Sequence, residues 1–434
     1  MARHTLSPTH MAKTIFVNRY FYPDHSATSL LLSDLAFDLA RCEQDIHVIT
    51  SGQLYGNPRA SLPVEEFIRG VHVNRVRTSW FGRAHLVGRM LDYLTFYLGA
   101  TSQLLRLVGR GDVVIAKTDP PMLSVCAGWV ARWKGAALVN WIQDLFPEVA
   151  TSLDVSGVRY VAPVLKRLRN QSLRQAHTNV VLGVTMASRL RDEGIPPDRI
   201  TVIDNWADGD LIQPIPKDNN PVLREWGLDG KFVLGYSGNM GRVHEFKTII
   251  DAAELLKAAE EIAFVFIGDG VARPWLESEV AKRRLPNVQF RPYQSADGVR
   301  WSLSVPDLHF ITLQPSLEGL IVPSKFYGVA AAGRPVLYVG DPDGEIARIL
   351  QREQCGWSFR IGDVDSLARC ILTLAHERDV AKEAGQRARK AFDRLYARPH
   401  AHRKWRVILE SVSPAVPQQI ASAEGEHPVA VGRE

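Results

Sequence analysis

The chain has 434 residues, too many for one ordinary hydrophobic core, so two domains are expected. Hydrophobic residues make up 46% and charged residues 23%, the balance of a soluble globular protein. No stretch reaches the roughly 18 apolar residues of a spanning helix, which excludes that architecture. The net charge of +5 suits phosphate-bearing ligands or anionic lipid, and equally a plain basic surface; no nucleic-acid partner is expected.

The first apolar run, Ile15–Val17, is cut short by Asn18 and Arg19, so no secretory signal is read there. Residues 1–12 read as an extension. "KTIFVN" then leads into the helical "SATSLLLSDLAFDLAR" and on to "DIHVIT". "DVVIAKT" precedes "MLSVCAGWVARWKG" and "ALVNWIQD", and "HTNVVLGV" precedes "TMASRLRDEG" and "RITVIDN". This strand–helix–strand alternation predicts parallel sheets with helices on both faces. Pro214, Pro216 and Pro221 mark a linker. The rhythm restarts with "KFVLGYSG" and runs through "IAFVFIGDG", "NVQFRPY", "DLHFITLQ" and "RPVLYVG". The reading is therefore an α/β chain with domains over 13–212 and 213–395. A helix over 396–412 is expected to cross back to the first domain. The tail over 413–434 has Pro, Gly and Glu without an apolar period and reads as disordered. Cys42, Cys126, Cys355 and Cys370 show no metal-ligand spacing, so reduced thiols and no metal site are expected.

In parallel sheets, ligands bind beyond the carboxyl ends of strands. The stretch "GYSGNMGR" places Gly235, Gly238 and Gly241 where backbone amides can approach a phosphate, with Arg242 adding charge. A tight strand–helix turn explains the same glycines. In "PSLEGLIVPSKFYGVAAAG", Pro323 suits the first helical position, and Ser324 and Lys325 follow in the first turn. A lysine there opposes the helix dipole by about 0.3–1 kcal/mol, so a bound anion is expected to compensate. Snorkelling of Lys325 to solvent, or pairing with Glu318, is the plain alternative. Glu318 can accept sugar hydroxyls, while Gly319 and Leu320 offer N–H groups. The first strand–helix turn, "YFYPDHSATS", has no glycine, which argues against a dinucleotide-binding dehydrogenase.

Together these segments resemble the family-four retaining glycosyltransferases of the GT-B fold. The resemblance rests on "QPSLEGLIVPSKFYGVAAAGRPVL", with "LGYSGNMGR", "FVFIGDG", "NVQFRPY", "VIDNWADGDLIQP" and "YFYPDHSATSLLLSDLAFDLA" in order, over roughly residues 13–410. It is nearest to bacterial surface-polysaccharide members, which carry segments like "DLFPE" and "PSK". It implies two Rossmann-like domains facing a cleft and a metal-independent enzyme. It also implies a nucleotide-sugar donor, UDP-linked, with transfer of a hexosyl or N-acetylhexosaminyl group, with retention, to a polyprenyl-linked acceptor. Arg242, Lys325 and the turn containing Gly238, Asn239 and Gly241 would hold the diphosphate, and Glu318 would orient the sugar. Ser324 would join them, and the base would lie near Arg291 and Tyr293. The acceptor would enter around Asp24, His25, Ser26 and Thr28, with Ser26 equally readable as a helix cap. Asp144 could meet the donor sugar or acceptor, or cap the following turn.

The chain departs from the family pattern in three places. The lysine that often follows Arg242 in the family has Lys247 as its candidate here, with an early helix start that could displace His244 or Lys247. The second glutamate of the motif falls on Phe326, which leaves Glu345 as a candidate for the nucleotide ribose, or simply as a carboxylate at a helix N-terminus. The first-domain histidine of many members is replaced by Gln143 or Asp144. Two rival readings stay open: a nucleotide-sugar 2-epimerase of the same fold, and a non-catalytic scaffold. Finally, "RAHLVGRMLDYLTFYLGATSQLLRLVGR" and "RYVAPVLKRLRNQSLR" carry broad apolar faces among Arg83, Arg89, Arg106, Arg110, Arg159, Lys166, Arg167, Arg169 and Arg174. Such helices either lie on anionic lipid or pack in the core with solvated basic edges. A cytoplasmic protein touching the inner face of the membrane is the expectation.

Overall fold

The computed structural model describes residues 12–57, 59–81, 86–295 and 297–412. The extension up to residue 11, Arg83 and the tail from 413 lie outside them.

Eight strands form the first sheet: β1 (Thr14–Val17), β2 (Ile46–Ser51), β3 (Glu65–Ile68), β4 (Val71–Val76), β5 (Val113–Lys117), β6 (Ala137–Trp141), β7 (Thr178–Val181) and β8 (Ile200–Val202), in the order β3-β4-β2-β1-β5-β6-β7-β8. Six form the second: β9 (Phe232–Ser237), β10 (Ile262–Ile267), β11 (Val288–Arg291), β12 (Leu308–Thr312), β13 (Val336–Val339) and β14 (Gly356–Phe359), in the order β11-β10-β9-β12-β13-β14. Strands such as β10, "IAFVFI", are buried along their whole length, as expected where helices cover both faces.

All pairs are parallel except β3 with β4. That edge hairpin interrupts the alternation read from the sequence. Its two-residue turn has Arg69 at φ 49° and Gly70 at φ 86°, the mirror-image geometry that matches strand twist. The signal, "IRGV", carries only one glycine and is easily passed over.

Each sheet has one switch point, where successive crossovers leave in opposite directions: β1/β5 in the first and β9/β12 in the second. Loops there diverge and leave a crevice at the strands' carboxyl ends. The two crevices face each other. The Leu145 amide donates to the Leu320 carbonyl at 2.9 Å, Asp144 bridges Ile321, and the Ser152 hydroxyl donates to the Ser316 carbonyl.

The C-terminal helix, Arg398–Val412, crosses back to the first domain. Its buried face, Ala401, Trp405, Ile408 and Leu409, joins the core of Phe16, Leu32 and Trp141. Trp405 is fully buried, with its ring 4.7 Å from that of Trp141. His402 sits between Asp34 and Asp38, at 3.2 Å from each.

Candidate active site in the cleft

The loop after β9 and the loop after β12 leave the second switch point side by side. They are stitched together by the Gln314 amide donating to the Val243 carbonyl and the Gln314 side chain donating to the Arg242 carbonyl at 2.9 Å. This brings Arg242 and Lys325 to the same end of the sheet. Arg242 is exposed and makes no ion pair among the described residues.

With Ser324 as the cap residue, Lys325, rather than Pro323 as expected, takes the first position of the helix Lys325–Ala331. Its stem runs under the β9 loop: a Cβ on Gly238 would lie 2.9 Å from Lys325 Cε, which together with φ +124° explains a glycine at that position. The ammonium has no carboxylate within ion-pair reach among the described residues. It donates to His244 Nε2 at 3.0 Å and lies 5.1 Å from the centroid of the Tyr236 ring. Burial lowers its pKa to about 8. His244 is held neutral, at about 3, first by burial and then by the Lys325 charge. Its Nδ1 faces the Thr312 carbonyl at 2.6 Å. A carbonyl only accepts, so Nδ1 carries the proton and Nε2 presents a lone pair to Lys325.

The amides of the glycine turn divide into two sets. Gly238 N donates to Ile267 O and Met240 N donates to Asp269 O, which fix the loop to the end of β10. The amides of Asn239 and Gly241 remain without a partner among the described residues. Leu320 N is occupied by Leu317 O, so it is not among the available donors expected from the sequence.

Glu318 lies half-buried in the β12 loop. Its Oε1 accepts from the Glu345 amide at 2.8 Å and its Oε2 from the Tyr338 hydroxyl at 3.2 Å. Burial raises its pKa, and these donors with the Gly319 amide oppose that rise. Glu345, the candidate for a ribose contact, is turned elsewhere. Its Oε2 accepts from both the amide and the hydroxyl of Thr185 in the first domain, each at 2.8 Å, and the residue is only 5% exposed. Phe326, at the position of the family's second glutamate, is fully buried and packs against Tyr327 and Tyr396. Burial there would penalise a carboxylate heavily.

Tyr293 is exposed beside the β10 loop, with its hydroxyl donating to Asp269 O. Arg291 turns away toward Gln289 and Trp226. Lys247 pairs with Asp251 one helical turn on, on the surface.

Across the cleft, Asp24 is buried and holds its own loop. Its oxygens accept from the amides of Ser26 and Tyr55, at 2.8 and 2.6 Å. Ser26 precedes the helix Ala27–Arg41 without a side-chain capping bond. His25 is exposed, and the Thr28 carbonyl accepts from Lys117. Asp144 is exposed at the junction of the two domains, where its backbone bridges Ile321. Desolvation and then Asp119 raise its pKa to about 6, against the pull of Lys117. Lys117 is itself buried, 3.7 Å from the Trp141 ring centroid, with its pKa pushed well down by desolvation. The sequence reading missed Lys117, Tyr236, Tyr338 and Thr185, and gave His244 no role of its own. Each works through a partner distant in the chain, and no local pattern marks it.

Outside the cleft, Asp45, His47 and His72 bring ligand atoms within 4.8 Å of one another, a grouping formed across β2 and β4 that cysteine and histidine spacing does not show.

Residues 31–206 match the glycosyl transferase 4-like domain and residues 231–377 match the glycosyl transferases group 1 domain. The chain is 30% identical over 265 residues to the probable glycosyltransferase WbjE of Pseudomonas aeruginosa, covering 60% of this chain and 66% of that protein. It is 24% identical over 227 residues to WcaI of Escherichia coli K12, named for colanic acid biosynthesis glycosyl transfer, over 51% of this chain and 56% of that protein. The matches thus span roughly half to two thirds of these relatives' lengths. In fold, the chain is similar to HepE of Anabaena in complex with UDP, with a TM-score of 0.69, 13% identity, and coverage of 92% of this chain and 100% of that one. Two domain models in tandem and two facing parallel-sheet domains lead to one conclusion: the chain belongs to the glycosyltransferases of the GT-B fold that join a type 4-like domain to a group 1 domain.

Proposed function

We propose that the protein transfers a sugar from a nucleotide-sugar donor, with retention, to a polyprenyl-linked glycan in surface-polysaccharide biosynthesis. The observation that carries this reading is Lys325: a half-buried ammonium beside a glycine turn, with no carboxylate partner among the described residues. A desolvated cation lacking an anion is costly in an isolated protein and is compensated by a bound phosphate. In the proposed reaction, Lys325, Arg242 and the amides of Asn239 and Gly241 bind the diphosphate and stabilise its charge as the glycosidic bond breaks. Preorganised donors of this kind contribute on the order of 3 kcal/mol each. Glu318, fixed by Tyr338 and the Glu345 amide, accepts hydroxyls of the donor sugar. The departing phosphate takes the acceptor proton on the same face, so no protein nucleophile is assigned. Asp144 faces the acceptor. Tyr293 borders the space for the base, and Arg291 is left out of that contact. The resemblance to HepE, solved with UDP, favours a uridine nucleotide.

A membrane-facing surface suits a polyprenyl acceptor. The helices Leu86–Leu107, Leu123–Lys134 and Val158–Gln175 pack side by side and expose Met90, Leu98, Trp129, Trp133, Tyr160 and Val164. Arg132, Arg159 and Arg167 lie exposed on the same helices. Lys166 and Arg169, counted in this basic face from sequence, instead pair with Glu148 and Glu193. No helix among the described residues is long and apolar enough to cross a membrane.

The test is a donor screen with lipid extract as acceptor, scored by release of nucleoside diphosphate and by the anomeric configuration of the product. Release that needs both donor and extract, with the donor's configuration retained, supports the proposal. Conversion of a nucleotide-sugar without extract would favour epimerisation, and absence of turnover with every donor would favour a scaffold.

A further inference from the structure

The way Lys325 is held points to a further residue, an inference that rests on the donor-site reading above. Lys325 is half-buried against three neutral groups: the Tyr236 ring, the Gly238 turn and the His244 imidazole. Each is immobilised. The Tyr236 hydroxyl donates to the Asn239 carbonyl at 2.6 Å, the Gly238 amide is bonded to Ile267, and His244 Nδ1–H is bonded to Thr312 O at the end of β12. The Thr312 hydroxyl also accepts from the Glu245 amide, so the His244 backbone is fixed on the same strand end.

We propose that His244 is a positioning residue: it holds one N–H of the Lys325 ammonium on Nε2 and leaves the other two N–H groups directed to the donor's phosphates. An ammonium has three donors and no acceptor, so a neutral imidazole takes one without cancelling the charge. A carboxylate in its place would neutralise Lys325 and compete with phosphate. An apolar residue would leave the ammonium free to rotate and further desolvated. The tautomer follows from Thr312, which makes the arrangement a chain from strand end to imidazole to ammonium.

The charged and titratable groups around this pair are few. Tyr236 faces it from β9, and Arg242 lies exposed on the same loop. The Glu245 carboxylate is turned to the Thr248 amide, and Glu318 is turned to Tyr338 and the Glu345 amide. The lone pair on Nε2 stabilises the charged form of Lys325. Its removal therefore moves the loss of that charge to lower pH.

The experiment is calorimetric binding of UDP, with GDP and ADP in parallel, to the full chain from about pH 6 to about pH 9. Wild type, His244→Leu, His244→Gln and Lys325→Ala are compared, with thermal midpoints recorded for each. Wild-type affinity is expected to fall as the ammonium deprotonates. In His244→Leu, binding at neutral pH should weaken about tenfold, and the fall should begin about one pH unit lower. His244→Gln, which retains an acceptor oxygen, should recover most of both. A His244→Leu protein with wild-type affinity and an unmoved pH limb overturns the proposal, as does one whose affinity drops only in proportion to its thermal midpoint. If Lys325→Ala weakens binding while His244→Leu does not, only the positioning role falls. If the wild type binds no nucleoside diphosphate, the donor-site reading falls with it.

Discussion

Glu318 and Glu345 are joined through a single hydrogen bond, the amide of Glu345 donating to Glu318 Oε1 at 2.8 Å. The carboxylate of Glu345 in turn accepts two bonds from Thr185. The carboxylate of Glu318, proposed to meet the donor sugar, is therefore joined through one residue to a contact that ties the second domain to the first. Gly183 makes the approach possible: a Cβ there would lie 2.4 Å from Glu345 Cδ.

Glu345→Ala is expected to remove both bonds from Thr185 and to loosen the closed arrangement. Hydrogen bonds to a charged group contribute about 1.5–3 kcal/mol, and a loss in that range is expected in urea unfolding. Thr185→Val keeps the amide bond and should lose about half as much. A Glu345→Ala protein as stable as wild type would show that this contact does not hold the domains together.

Asp144 should govern the acid side of the transfer rate. Although the residue is exposed, desolvation by the surrounding protein, and then Asp119, raise its carboxyl to about 6. It is protonated below that value and ionised above it, so a role that needs the carboxylate fades as the pH falls through about 6. The rate profile at saturating donor should lose its acid limb in Asp144→Asn, with the KM for acceptor rising more than that for donor. An unchanged limb in the variant assigns the titration to another group.

The exposed apolar face should bind vesicles. Trp129 and Trp133 stack at 6.1 Å between centroids while both remain largely exposed, an arrangement suited to the interfacial region of a bilayer. The full chain should co-float with vesicles containing anionic lipid and be released by raised salt in part, with Trp129→Ser/Trp133→Ser weakening flotation. Equal flotation of that variant and wild type would remove this face from the proposal.

The alternation of apolar runs and helical stripes made the two parallel sheets legible, because buried parallel strands leave few ways to arrange "FVLGYS" or "IAFVFI". The crossover helix was legible from its apolar spacing beyond Pro399. The β3–β4 hairpin was not, since its turn offers one glycine and its strand β3 is half exposed. At the site, Lys325 and Glu318 stood out because charge between two buried segments needs a reason. His244 did not, because its partners Thr312 and Lys325 are 68 and 81 residues away in the chain. Glu345 shows the converse: its position at a helix start was readable, but its direction is set by Thr185, 160 residues away. Side-chain direction at a domain interface depends on packing that periodicity does not encode.

The most direct test of the account is nucleoside diphosphate binding by Lys325→Ala at neutral pH. The account predicts a loss on the order of a hundredfold, about 3 kcal/mol, with folding intact by circular dichroism and a wild-type protein whose affinity declines above about pH 8. Unaltered affinity in Lys325→Ala, with no decline in the wild type above that pH, would contradict it.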